Sequence, residues 1–162
     1  MRVVLQLFTG ALEASEPSFA SAMKQALRLV ENNAAPHTNI LVVEDDARIR
    51  RQISEYLRSR DFTVFEVETG EEALSFLDHG ANHVDCIFSD VQMPGRCDGV
   101  ELARWVLANR PGLPILLTSA EYRPEDLDPV LRPILYILPK PYRGHTVEAA
   151  LAAQVMQFRL RA

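Results

Sequence analysis

The groups in this sequence best suited to chemistry are Glu44 and Asp45, Asp90, and Lys140, and each stands at the end of an apolar run. Glu44 and Asp45 follow Ile40 to Val43, Asp90 follows Cys86 to Ser89, and Lys140 follows Ile134 to Pro139. Short, nearly all-apolar runs read as buried parallel strands, and in open α/β sheets the ligand site lies outside the carboxyl ends of the strands. Three carboxylates and one ammonium are therefore expected at a single rim. Carboxylate oxygens gathered without His or Cys suit a hard cation such as Mg2+, which keeps several waters and is usually completed by a phosphate oxygen. Phosphoryl chemistry is the first expectation.

The elements that must position these groups begin at Asn39, where short apolar runs alternate with amphipathic stretches in a β/α succession. Strands are expected at Ile40–Val43, Thr63–Val67, Cys86–Ser89, Ile115–Thr118 and Ile134–Leu138. Five helices are expected between and after them. The first, near Ala47 to Ser59, puts Ile49, Ile53, Tyr56 and Leu57 on one stripe, with Asp46 as its N-terminal cap. The second opens on Thr69-Gly70-Glu71-Glu72, a capping-box spacing that makes Glu72 structural. The third starts after Asp98-Gly99 and stops before Pro111-Gly112. The fourth has three prolines in the stretch from Arg123 through Pro133, so a shortened or irregular element is expected there. The last, from Thr146 to Arg159, is expected to turn Val147, Leu151, Val155 and Phe158 to one side, and no second domain is expected after it.

With 162 residues, 48% of them hydrophobic, the chain has material for one domain and an appendage. The formal net charge of -5 argues against a general nucleic-acid or membrane-surface binder, which would present a basic face. Cys86 and Cys97 lack the paired spacing of a zinc site, and a disulfide framework is not expected, so a reducing cytoplasm is the natural compartment. The amino terminus reads as neither a signal peptide nor a membrane span. Residues 1–37 differ from the rest and are expected to be an extension, partly helical or disordered, with Met23 an alternative start. Residues 38–162 form the expected domain.

Residues 39–159 resemble the receiver domain of bacterial two-component response regulators. The resemblance rests on Ile40-Leu41-Val42-Val43-Glu44-Asp45-Asp46, on Ser89-Asp90-Val91-Gln92-Met93-Pro94-Gly95, on Asp98-Gly99, on Leu117-Thr118-Ser119-Ala120, and on Leu138-Pro139-Lys140-Pro141. It implies a doubly wound, flavodoxin-like five-stranded parallel sheet of order 2-1-3-4-5 with helices on both faces. It also implies that Asp90 is the phosphoacceptor, with Glu44, Asp45, Asp90 and the backbone carbonyl of Gln92 holding Mg2+. By the same resemblance, Lys140, expected before a cis peptide to Pro141, gives a point charge to the phosphoryl group, and Thr118 hydrogen-bonds that group once present.

The resemblance departs at Ile137, where the family often carries an aromatic side chain that changes rotamer with the threonine. Tyr136 is adjacent, but a neighbouring strand residue points to the opposite face. The leading expectation is a stand-alone receiver, not an enzyme. It would take a phosphoryl group from a histidine kinase or histidine phosphotransfer protein, then switch binding of a downstream protein target or relay the group. No direct DNA binding is expected, and a homodimer through the last helices is left open. The alternatives are a Mg2+-dependent aspartyl-phosphate phosphatase or phosphotransferase, disfavoured by Gln92 two residues after Asp90 where a second Asp would act as general acid, and a scaffold that no longer signals.

Overall fold

The computed structural model describes residues 38–79, 83–132 and 135–159. Strands β1 (Asn39–Val43), β2 (Thr63–Val67), β3 (Cys86–Asp90), β4 (Ile115–Ser119) and β5 (Tyr136–Pro139) form one parallel sheet in the order β2-β1-β3-β4-β5. Among the described residues, four helices accompany them: α1 (Ala47–Arg58), α2 (Gly70–Asp78), α3 (Gly99–Asn109) and α4 (Gly144–Arg159). This is the doubly wound, flavodoxin-like order expected from the sequence.

Successive strand residues point to opposite faces, and each face is claimed by different helices. Leu41, Val43, Ile87, Leu117 and Ile137 pack with Ala73 and Leu77 of α2 and with Leu102 and Val106 of α3. Ile40, Val42, Phe88, Leu116 and Leu138 pack with Ile53 and Leu57 of α1 and with Val147 and Leu151 of α4. Cover on both sides explains why the strands read as unbroken apolar runs. Each such buried aliphatic or aromatic side chain contributes about 1.5–3 kcal/mol.

The helix starts follow their side-chain chemistry. Asp46 Oδ1 accepts from the backbone N–H of Arg48 at 2.8 Å and of Ile49 at 3.3 Å, capping α1 as expected. Thr69 Oγ1 accepts from Glu72 N at 3.2 Å, but the Glu72 carboxylate takes the Glu68 N–H at 2.8 Å instead of returning to the cap residue. Glu148, buried on α4, accepts from the Tyr56 hydroxyl at 2.8 Å and from Arg60 Nε at 3.0 Å, tying α4 to α1 and the turn that follows it.

The sequence expectation needs three corrections. The fourth of the five expected helices is a single 3-10 turn, Pro124–Asp126, because the prolines leave too few consecutive donors for an α-helix. Leu127 and Leu131 are nonetheless buried, so the segment still covers the sheet. β5 starts at Tyr136, and Ile134 lies outside the described residues. The last helix starts two residues early, at Gly144, since the Arg143 carbonyl accepts from Thr146 N at 2.9 Å and opens the first turn. Glycine suits that position because a Cβ there would lie 2.6 Å from the Tyr56 ring. The expected extension, residues 1–37, falls outside the described residues. Among the described residues, no helix is long and apolar enough to cross a membrane.

Burial raises the pKa of Tyr56, with a further push from its bond to Glu148, and burial also raises Tyr136 and Tyr142. The folded chain therefore keeps phenolic protons at a pH where the unfolded chain has lost them, so the unfolded state binds fewer protons and stability falls as pH rises. The expected result is a urea midpoint that declines as pH approaches and passes about 10. Tyr56→Phe should flatten that decline, and an unchanged slope would show that Tyr56 ionises alike in both states.

Candidate functional site

The strand register brings the reactive groups together. Val43 is the partner of Ser89, so the next residues, Glu44 and Asp90, emerge from adjacent strand ends. Asp90 is in turn the partner of Thr118, Thr118 of Leu138, and Ser119 of Pro139. Lys140 then leaves β5 with its backbone N–H on the Ser119 carbonyl at 2.7 Å. A site at the carboxyl rim follows from this pairing, as the positions of the polar residues suggested.

At that rim Glu44, Asp45 and Asp90 each offer a carboxylate oxygen, all within 4.8 Å of one another. The Lys140 ammonium donates to Asp90 Oδ2 at 2.8 Å and to Glu44 Oε2 at 2.9 Å. Glu44 is 1% exposed and Asp90 6%, so both interactions are poorly screened by solvent. Burial raises the Glu44 pKa, opposed by the Lys140 hydrogen bond and reinforced by the charge of Asp90. Burial alone would lower the Lys140 pKa, but the hydrogen bonds and charges of Asp90 and Glu44 outweigh it and hold the ammonium above its ordinary value. The peptide between Lys140 and Pro141 is cis, as expected.

Thr118 is buried beside Asp90, and its Oγ1 donates to the Leu138 carbonyl at 3.0 Å. The Gln92 backbone N–H donates to Asp90 Oδ1 at 3.3 Å, while its side chain accepts from Ser119 Oγ at 3.1 Å and donates to Glu121 at 3.3 Å. The loop after Asp90 is tied at its far end by Glu71 of α2, which accepts from the N–H groups of Arg96 at 2.6 Å and Cys97 at 3.2 Å. Gly99 closes the loop, and a Cβ there would sit 2.1 Å from the Asp90 carbonyl oxygen. Only glycine lets α3 begin so close to the site.

The donor set fits a hard divalent cation: three carboxylates, no His or Cys, and one ammonium that offsets part of their charge. A model of the response regulator receiver domain family matches residues 40–152. The chain belongs to that family.

The receiver domain is 39% identical over 84 residues to the transcriptional regulatory protein ResD of Bacillus subtilis, a match covering 52% of this chain and 33% of ResD. It is 34% identical over 87 residues to the C4-dicarboxylate transport transcriptional regulatory protein DctD of Rhizobium meliloti, covering 54% of this chain and 18% of DctD. The chain thus spans about a third or less of these two relatives. Among solved structures, the receiver domain of the hybrid histidine kinase CckA is 30% identical with a TM-score of 0.60, covering 72% of this chain and 98% of that one. A response regulator receiver protein from Sinorhizobium medicae shares the fold with a TM-score of 0.67 at 22% identity, over 76% of this chain and 98% of its own.

The structure of this receiver domain adds residues that the sequence did not single out. Arg50 on α1 donates to the backbone carbonyls of Glu44 and, at 3.3 Å, Asp45, and pairs with Glu68 at 3.5 Å, so its guanidinium pins the turn that carries both acids. Its place one turn into a helix that begins beside an acidic pair was the available signal. Tyr142, two residues after Lys140, brings its ring edge-on to Phe88 with centroids 5.7 Å apart. Ile137 packs on the α2/α3 face and Tyr136 against the opposite cluster, as strand alternation required.

Proposed function

We propose that this receiver domain is a Mg2+-dependent phosphoacceptor. The observation that carries the reading is the Lys140 ammonium bridging Asp90 and Glu44 at 2.8 and 2.9 Å, beside Asp45, at the carboxyl ends of β1, β3 and β5. Asp90 supplies a carboxylate oxygen to the phosphorus of a phosphohistidine on a partner. The new P–O bond forms as the P–N bond breaks, and its electron pair returns to the imidazole, which takes up a proton. Such a transfer needs alignment and charge neutralisation more than covalent activation.

Glu44, Asp45, Asp90 and the Gln92 backbone carbonyl would hold the Mg2+, which when bound neutralises charge on the phosphoryl oxygens. Lys140, already on Asp90, supplies a further positive charge to the same oxygens. Thr118 would turn its hydroxyl from the Leu138 carbonyl to the phosphoryl group. That exchange of one hydrogen bond for another is the local event from which a surface change would spread.

The partners proposed are a histidine kinase or histidine phosphotransfer protein as donor and a protein target, or a second phosphotransfer protein, as recipient of the signal. The net charge of -5 favours protein partners over DNA. Its own turnover would be limited to slow hydrolysis of the acyl phosphate. The test is incubation with Mg2+ and acetyl phosphate followed by intact mass measurement under cold, neutral conditions. One phosphoryl adduct is expected, and it should vanish when the metal is chelated. An adduct that forms equally well without metal would remove the cation from the proposal.

A further inference from the structure

Only Glu44, Asp45 and Asp46 separate β1 from α1, and the first two are the acids proposed to hold the metal. So short a link leaves the strand before the helix supplies new partners, and its peptide groups must be satisfied one by one. The Glu44 N–H goes to the Val67 carbonyl of β2 at 3.3 Å. The Asp46 carbonyl accepts from Arg50 N at 2.9 Å, while its carboxylate caps α1. The carbonyls of Glu44 and Asp45 both accept from one nitrogen, Nη1 of Arg50.

The other guanidinium nitrogen of Arg50 lies 3.5 Å from the Glu68 carboxylate, and the arginine side chain is 15% exposed. Glu68 stands just before the Thr69 cap of α2, and its own N–H is held by Glu72 at 2.8 Å. One planar group thus fastens the acid-bearing turn to the turn that opens α2. A guanidinium can do this because its donors form a rigid fork, whereas a lysine ammonium is a point charge on a flexible stem. The two peptide planes that it holds set the directions in which Glu44 and Asp45 leave the backbone. Their carboxylates converge with that of Asp90, with oxygens within 4.8 Å of one another.

We infer that Arg50 is a positioning residue for the metal: by fixing the peptides of Glu44 and Asp45 it holds their carboxylates converged before the cation arrives. This rests on the Mg2+-dependent reading above and names a residue, outside the donor set, on which its affinity depends. The guanidinium charge makes the inference sharp. A second cation near a divalent ion repels it, so if charge alone mattered, removing Arg50 would tighten binding. Positioning predicts the opposite sign, because ligands ordered in advance cost less to order on binding. Groups that orient metal ligands are worth about ten- to a hundredfold in affinity.

The test is calorimetric titration of the full chain with Mg2+, at a temperature where each variant is fully folded by circular dichroism, so that Kd reports the site and not the fold. Arg50→Lys keeps the charge and the helix propensity but loses the fork, and should raise Kd about tenfold. Arg50→Met should raise it at least as much, although it removes a positive charge. Arg48→Met removes the same charge from the same turn of α1, at a side chain 94% exposed whose ion pair is with Asp46 at 3.7 Å, and should leave Kd unchanged or slightly lower. Wild-type affinity in Arg50→Lys, tighter binding in Arg50→Met, or an equal loss in Arg48→Met would each overturn the proposal. Should Arg50→Met fail to fold, Arg50→Lys decides the question by itself. Failure of the wild-type protein to bind Mg2+ would instead overturn the metal-dependent reading, and this inference with it.

Discussion

Asp90→Asn is expected to carry no phosphoryl group under conditions in which the wild-type protein carries one. An amide nitrogen is not a nucleophile toward phosphorus, and its oxygen lacks the charge that makes the carboxylate one. The substitution keeps shape, and the retained oxygen can still accept from the Gln92 N–H, which reaches Asp90 Oδ1 at 3.3 Å. Fold and acceptor function therefore separate cleanly. A thermal melt like that of the wild type, combined with loss of the mass adduct, is the expected pair of results. Phosphate retained by the variant would place the acceptor elsewhere, and the nearby Glu44 and Asp45 would be the next residues to replace.

Lys140→Met is expected to have the largest effect on the resting protein. Removing the ammonium leaves Glu44 and Asp90 facing one another with side chains 2% and 8% exposed. Breaking a fully buried pair costs about 3–5 kcal/mol. The lysine side chain keeps 15% of its exposure and stands at the rim, so solvent screening reduces this to about 2 kcal/mol. The Glu44 pKa, already raised by burial, would rise further, and the site would relieve part of the repulsion by taking up a proton.

The same substitution should make Mg2+ more stabilising than it is in the wild type, because the ammonium no longer competes for the carboxylates. Urea unfolding with and without the cation reads both effects. The variant should bind metal yet fail to give the phosphorylation-dependent response, since the charge that would meet the phosphoryl oxygens is missing. Wild-type stability together with a wild-type Mg2+ increment would show that the bridge to Glu44 and Asp90 has no energetic role.

Much of this architecture could be read from the chain because its parallel sheet is buried on both faces. Each strand then announces itself as an apolar run, and the first polar residue after the run marks the rim. Glu44, Asp90 and Lys140 are visible for that reason. The cap at Asp46 and the broken helix between Arg123 and Pro133 were also legible, since they depend on local backbone chemistry. What escaped depends on where a side chain goes after it leaves its element. Arg50 shares α1 with Arg48, Arg51 and Arg58, and only the tertiary structure shows that its guanidinium bends back onto the carbonyls of Glu44 and Asp45. Tyr142 lies beyond β5, where period-two alternation no longer predicts a face. The Glu72 carboxylate missed its expected partner because Glu68, one residue before the cap, offered a free N–H within reach.

The bridge from Lys140 joins residues 96 and 50 positions away along the chain. No hairpin or single β/α unit contains all three groups, so the site cannot preform in a fragment or survive partial unraveling of the sheet. Closing such long loops is slow relative to forming helices, and their reward comes only when β1, β3 and β5 are all seated. Anything that binds at the rim is therefore coupled to the cooperative folding of the domain as a whole, and its binding free energy becomes resistance to global unfolding. For this receiver domain, occupancy of the site should be readable as slowed amide exchange in the sheet core, far from any group that the ligand touches.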